Sequence, residues 1–209
     1  MKVRTEAKRD AIIEEARALF LEVGYERASM SELTRRLGGS KTTLYGYFAS
    51  KQDIFTAVIE ALSSEHLAGA SAELENMHEV GVTAALTRFA EHMLTLMLSS
   101  ESLALQRVIL GESGVSSVGE IFVEHGPKVK LAEMAAALQA AMDRHELQPG
   151  PAEVLALQFF SLVRSEVELR LYLRDPPPLQ PHQVKAMARR AVEMFLGGCR
   201  AVSTPEPAA

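Results

Sequence analysis

The sequence predicts an all-α protein. Apolar residues recur at three-and-four spacing along the chain, no segment alternates polar and apolar residues for long, and Gly or Pro clusters stand where the helical spacing lapses. With 209 residues, 47% of them apolar and 23% charged, the chain can build one larger domain or two small ones around a sizeable core.

Taken in order, Ile12, Ile13, Ala16, Leu19, Phe20 and Val23 form one stripe, which Gly24 ends. Ser29 with Glu32 reads as a capping box for a short helix whose inward face is Met30, Leu33 and Leu37, stopped by Gly38 and Gly39. Ser40 opens a third short helix over 41–47, with Leu44 and Phe48 inward. Ser50 with Asp53 caps a fourth that runs through Ile54, Phe55, Val58, Ile59 and Leu62. Further helices are expected near 82–98, 102–111, 117–125, 127–146, 152–173 and 182–202. The run RDPPPLQP at 174–181 separates the last two, since Pro lacks the amide donor and disfavours helix before it. The expected organisation is a three-helix domain over 1–52, a larger helical domain over 53–202, and a disordered tail, STPEPAA, over 203–209.

Net charge is −5, which by itself argues mildly against a polyanionic partner. Its distribution is uneven. Residues 1–55 carry ten Lys and Arg against eight Asp and Glu, while 56–209 carry twelve against nineteen, so only the first segment suits nucleic acid. The amino end, MKVRTEAKRD, has no apolar core of a secretion signal, and the most apolar stretch, VLALQFFSLV, is interrupted by Gln158 and is too short to span a bilayer. Cys199 is alone and reads as a packing residue, compatible with a reducing compartment. These features predict a cytoplasmic protein. His66, His78, His92, His125, His145 and His182 include no i, i+4 pair, so no metal site is expected. There is no GxSxG, P-loop or GxGxxG, no cofactor is expected, and nothing points to an enzyme.

The segment SKTTLYGYFASK, residues 40–51, concentrates the chemistry. A short helix, a turn containing Gly and a second short helix make a helix-turn-helix, whose second helix enters a DNA major groove. With Leu44 and Phe48 inward, Thr42 and Gly46 fall opposite and Thr43, Tyr45 and Tyr47 flank them. Thr can contact a thymine methyl or a base edge, Tyr can hydrogen-bond phosphate, and Gly46 removes bulk where the groove comes close. Lys41 and Lys51 each follow a capping Ser, placing a cation at the positive end of a helix, at a cost of roughly 0.3–1 kcal/mol. A helix start is already an anion site, so phosphate would offset that cost.

RDAIIEEARALFLEVGYERASMSEL, SKTTLYGYF and SKQDIF together resemble the TetR family of transcriptional regulators over residues 9–59. The resemblance implies that Thr42, Thr43 and Tyr45 occupy recognition-helix positions, with Lys41 at the helix start near bases or phosphate. It implies that Tyr47 and Lys51 clamp phosphate and that Ser29 and Ser31 lie near the DNA backbone. The chain departs from the family at Thr34, where Ala is usual, and at Gly39, where a β-branched aliphatic is usual. Thr34 is expected to bond back to a helix carbonyl, and Gly39 to loosen the turn.

One recognition helix reads few base pairs, so high affinity calls for two copies on a two-fold related site. The nearly continuous apolar surface of 152–173 and the stripe in 182–202 suit an intersubunit four-helix bundle, which the resemblance also implies. The expected interface is Leu155, Phe159, Leu162, Val163, Val184, Met187, Ala191, Val192 and Phe195. The middle of the chain supplies soft apolar surface for an effector in Phe89, Met93, Met97, Phe122, Met134, Leu138, Met142 and Phe159. His92, Arg107 and His125 serve there as polar handles, although a Met stripe at helical spacing is also what a plain core looks like. The stretch from LALQRVILGE to MFLGGCR loosely resembles the carboxyl-terminal domain of AefR-like members of the same family.

The resulting expectation is a homodimeric transcriptional regulator, read as a repressor, that binds a near-palindromic DNA operator and is released by a small apolar effector. The alternative is a helical ligand-binding or interaction protein whose helix-turn-helix is retained only as structure. Salt dependence of DNA affinity separates the two.

Overall fold

The computed structural model describes residues 5–199, apart from the side chains of His66 and Ala68. Every element among the described residues is helical. α1 spans Glu6–Val23, α2 Met30–Arg36, α3 Lys41–Tyr47 and α4 Lys51–Glu75. α5 is the short Met77–Val80, followed by α6 (Val82–Leu98), α7 (Ser100–Glu112), α8 (Val118–His125) and α9 (Pro127–Asp143). α10 spans Ala152–Ser165, and after a 3₁₀ turn at Glu168–Tyr172 the chain ends its described part with α11, Pro181–Cys199.

The chain divides into two compact units. One contains residues up to 65 together with 97–129, and the other contains 66–96 together with the described residues from 130. The first unit is organised around Ile12, Ala16, Leu19, Phe20, Phe55 and Val58, all nearly inaccessible. Phe20, Tyr25 and Phe55 meet there with ring centroids 5.0–5.7 Å apart. The second unit buries Leu86, Phe89, Leu94, Met134, Leu138 and Phe159. In it α10 packs on α11, with the Phe159 and Phe195 rings edge to face at 5.1 Å.

Helix boundaries follow local chemistry where that chemistry is simple. Pro127 and Pro181 open α9 and α11, a position where the missing amide costs nothing. α4 continues thirteen residues beyond Leu62, the last residue of its expected apolar stripe. α9 ends at Asp143 rather than 146, because His145 adopts a left-handed φ of 60° and the terminal amides of 144–146 fold back on Ala140, Met142 and Ala141. The single helix expected over 152–173 is a correction: it stops at Ser165. From there the amides of Val167, Arg170 and Leu173 donate to carbonyls three residues back, which tightens the chain into a 3₁₀ turn. That turn buries Val167 and Leu171 while leaving Leu169 and Tyr172 75% and 74% exposed. Residues 200–202 of the last expected helix, and the tail 203–209, lie outside the described residues.

Candidate nucleic-acid interface

Three serines start the helices of this region. Ser29 Oγ accepts from the Glu32 amide at 3.1 Å, Ser40 Oγ from the Thr43 amide at 3.1 Å, and Ser50 Oγ from the Asp53 amide at 3.1 Å. The capping box at Ser29 is only half of that motif as the structure draws it, since the Glu32 carboxylate is held by Arg35 and Arg36. Hydrogen bonds from those two guanidiniums bring Glu32 down to about 2. Arg36 also reaches Glu22 of α1 at 2.8 Å, tying α2 to α1. Thr34 Oγ1 donates to the Met30 carbonyl at 2.7 Å, the back-bond expected of it.

The turn between α2 and α3 places its left-handed residue at Gly38, with φ of 61°. Gly39 is not in that region, and a Cβ added to it would meet nothing within 4 Å. Its absent side chain therefore leaves open space, not a strained backbone.

On α3, Leu44 and Phe48 are buried in the core. Lys41 and Thr42 are exposed, Tyr45 is 51% exposed, and Thr43, Gly46 and Tyr47 are half-buried. Thr43 Oγ1 lies 2.9 Å from Ser40 Oγ, so part of its hydrogen-bonding capacity serves the cap. Tyr47 Oη accepts from the Thr5 amide at 2.9 Å, which ties α3 to the start of α1 and leaves the phenolic proton free to donate elsewhere. Arg9 stacks over the Phe48 ring at 5.5 Å. Ser29 and Ser31, at the start of α2, are exposed.

Lys51 is placed otherwise than expected. Its ammonium donates to the Tyr25 carbonyl at 2.7 Å and the Glu26 carbonyl at 3.2 Å, and lies 4.2 Å from the Tyr25 ring centroid. The cation at the start of α4 is thus compensated inside the protein, by carbonyls just beyond the end of α1. Lys41, at the start of α3, keeps its charge in solvent.

The carboxyl-terminal part matches the family of AefR-like transcriptional repressor C-terminal domains over residues 84–198, and residues 12–58 match the bacterial regulatory proteins of the tetR family. The chain belongs to the TetR family of transcriptional regulators. Among curated relatives, it is 35% identical over 66 residues to the HTH-type transcriptional repressor ComR of Escherichia coli (strain K12). It is 41% identical over 54 residues to the A-factor receptor protein of Streptomyces griseus. These alignments cover 32% and 26% of this chain and 31% and 20% of the relatives, so they concern only a part of each protein and not whole proteins. Among solved structures, a TetR-family regulator from Mesorhizobium loti superposes with TM-score 0.78 at 23% identity, covering 95% of this chain and all of that one, which shows the fold. The flavonoid-responsive regulator FrrA superposes with TM-score 0.73 at 29% identity over the same shares. The matched families are regulators of transcription, not enzymes.

The carboxyl-terminal part of this TetR-family chain sorts the remaining candidates by exposure. Phe89, Met134, Leu138, Met142 and Phe159 are core of the second unit, Phe89 and Phe159 with rings 6.1 Å apart. In that unit His92 and Met93 are half-buried, His92 against Gly69, where an added Cβ would come within 2.9 Å of the imidazole. Met97, Arg107, Phe122 and His125 belong to the first unit; His125 is exposed and lies 3.6 Å from Glu60. Of the residues expected at a dimer interface, Phe159, Val163, Ala191, Val192 and Phe195 are buried within the chain, where α10 meets α11. Their apolar stripes face each other, so they are not free to meet a partner. Leu155, Leu162, Val184 and Met187 are half-buried, and the outward apolar residues of the pair are Val154, Leu157 and Met194. Among the described residues no group of His, Cys, Asp and Glu could hold a metal ion, and no single helix is long and apolar enough to cross a membrane.

Proposed function

We propose that this regulator represses transcription as a homodimer, with α3 of each copy in successive major grooves of a near-palindromic operator. The observation that carries the reading is the exposed face of α3, where Lys41, Thr42 and Tyr45 project from a helix whose other face, Leu44 and Phe48, is anchored in the core. Lys41 supplies phosphate affinity, Thr42 and Tyr45 read the groove, and Gly46 permits close approach. The free proton of Tyr47 donates to phosphate, and Ser29 and Ser31 approach the DNA backbone.

Residues 1–52 form the DNA-binding part and residues 53–202 the effector-binding and dimerising part. The dimer surface is the outward face of α10 and α11, with Leu155, Leu162, Val184 and Met187 at its margin. The effector is small, as the flavonoid response of FrrA suggests, and apolar, as the half-buried Met93 and Met97 suggest, and its binding and DNA binding oppose each other reciprocally. The compartment is the cytoplasm, where the operator is.

A gel-shift series on a duplex obtained by binding-site selection tests this directly. Tyr45→Ala and Thr42→Ala are expected to cost about 1–3 kcal/mol each and to relax specificity at the bases they face. Unchanged affinity and specificity in both variants would remove α3 as the recognition element.

A further inference from the structure

We propose that Glu112, the last residue of α7, is a positioning residue for the DNA-binding helices: its carboxylate clamps the turn that joins α1 to α2. This rests on the DNA-binding reading above. Glu112 Oε2 accepts from the Glu26 amide at 2.9 Å. The other oxygen lies against Gly24, which has φ of 84°, and a Cβ added there would come within 2.2 Å of Oε1. Gly24 therefore serves two purposes at once, a left-handed backbone and the space that the carboxylate enters.

The same turn is held from another side. Lys51 donates to the carbonyls of Tyr25 and Glu26, so both polar groups of the Tyr25–Glu26 peptide unit are engaged, the carbonyl by an ammonium and the amide by a carboxylate. Charge-assisted bonds of this kind are the stronger class. The Tyr25 ring is locked between Phe20 and Phe55. A turn fixed at its backbone and its side chain determines the direction in which the chain leaves α1 and enters α2, and hence the pose of α3.

α7 is fastened to α1 at its other end as well. Glu101, in its first turn, lies 3.0 Å from Arg17, which is 7% exposed and also meets Glu14 and Glu65. The two attachment points are about 16 Å apart along the helix. Glu101, Glu112, Arg17 and the clamped turn all belong to the same compact unit. α7 is thereby fastened at one end to α1 and at the other to the turn that leads into α2.

The test uses the full chain with Glu112→Ala, Glu112→Gln and Glu112→Asp, reading hydrogen exchange of the Glu26 amide and affinity for the selected operator across a salt series. Loss of the acceptor in E112A is expected to speed Glu26 exchange roughly tenfold and to weaken operator binding several-fold, with the salt slope unchanged because no phosphate contact is removed. E112Q, whose amide oxygen still accepts, should restore both readouts toward wild type. E112D, one methylene shorter, should move both in the direction of E112A by less, and it carries the test if E112A folds poorly. E112A or E112D with faster exchange and wild-type affinity overturns the proposal, as does a changed salt slope. Wild-type protein that binds no duplex overturns the DNA-binding reading and this proposal with it.

Discussion

The Lys51 ammonium lies 2.7 Å from the Tyr25 carbonyl oxygen and 4.2 Å from the centre of the Tyr25 ring. A cation at a helix start thus finds its counter-dipole in the carbonyls past the end of another helix. Lys51→Ala leaves two carbonyls without their donor and is expected to destabilise the protein by about 2 kcal/mol, read by chemical denaturation. The salt slope of operator binding separates this role from a phosphate clamp. It should stay unchanged in Lys51→Ala, whereas Lys41→Ala, at an exposed helix start, should reduce it by about one.

Gly38 and Gly39 are adjacent but not equivalent. Gly38 alone sits at positive φ, so Gly38→Ala is expected to cost about 1–2 kcal/mol. Gly39 has open space around its missing Cβ, so Gly39→Val is expected to leave thermal stability equal or higher by narrowing the unfolded ensemble. A melting-temperature comparison of the two variants decides it, and a strong loss in Gly39→Val would mean that this glycine is required by the turn.

Acid should weaken the ion pairs of α2 in a defined window. Hydrogen bonds from Arg35 and Arg36 hold Glu32 at about 2, against an ordinary 4.5, and a hydrogen bond from Arg36 lowers Glu22 as well. Both are depressed carboxylates, so their contribution is fully present above about 4.5 and is lost as pH falls toward about 2. The melting temperature of Glu32→Gln is therefore expected to fall less steeply than that of wild type across that interval. Parallel curves would show that these exposed pairs contribute nothing measurable.

The outward and inward faces of α10 and α11 should respond differently. Phe159→Ala removes a ring packed against Phe195 and is expected to cost about 3–5 kcal/mol through the cavity it leaves, whatever the oligomeric state. Leu157→Glu and Met194→Glu alter exposed positions, so they are expected to leave the fold intact and to shift the dimer proposed above to monomer in light scattering. Retention of the dimer in both would place its surface elsewhere.

The contrast among these residues shows what kinds of information the chain carries openly. The caps at Ser29, Ser40 and Ser50 were legible because a hydroxyl, an amide three residues on and an apolar stripe are local events. The exposed face of α3 was legible for the same reason, since helical periodicity opposes Thr42 to Leu44 and Phe48. The break after Ser165 was not, because the apolar pattern runs on through Leu173 and a 3₁₀ turn uses the same residue types as a helix. Phe159, Val163 and Phe195 read equally well as core or as interface, because an apolar side chain records that it must be covered and not by what.

By itself, then, the sequence determined the helical class, the serine caps that start α2, α3 and α4 and the residues that α3 presents, all of them consequences of neighbours within one or two helical turns. Only the tertiary structure decided where the Lys51 charge goes, that Glu112 meets a turn 86 residues earlier, and which apolar faces are already covered. Those outcomes depend on the packing of distant segments, and a charge or a methyl group has the same local signature whether its partner is water, phosphate or a carbonyl of the same chain.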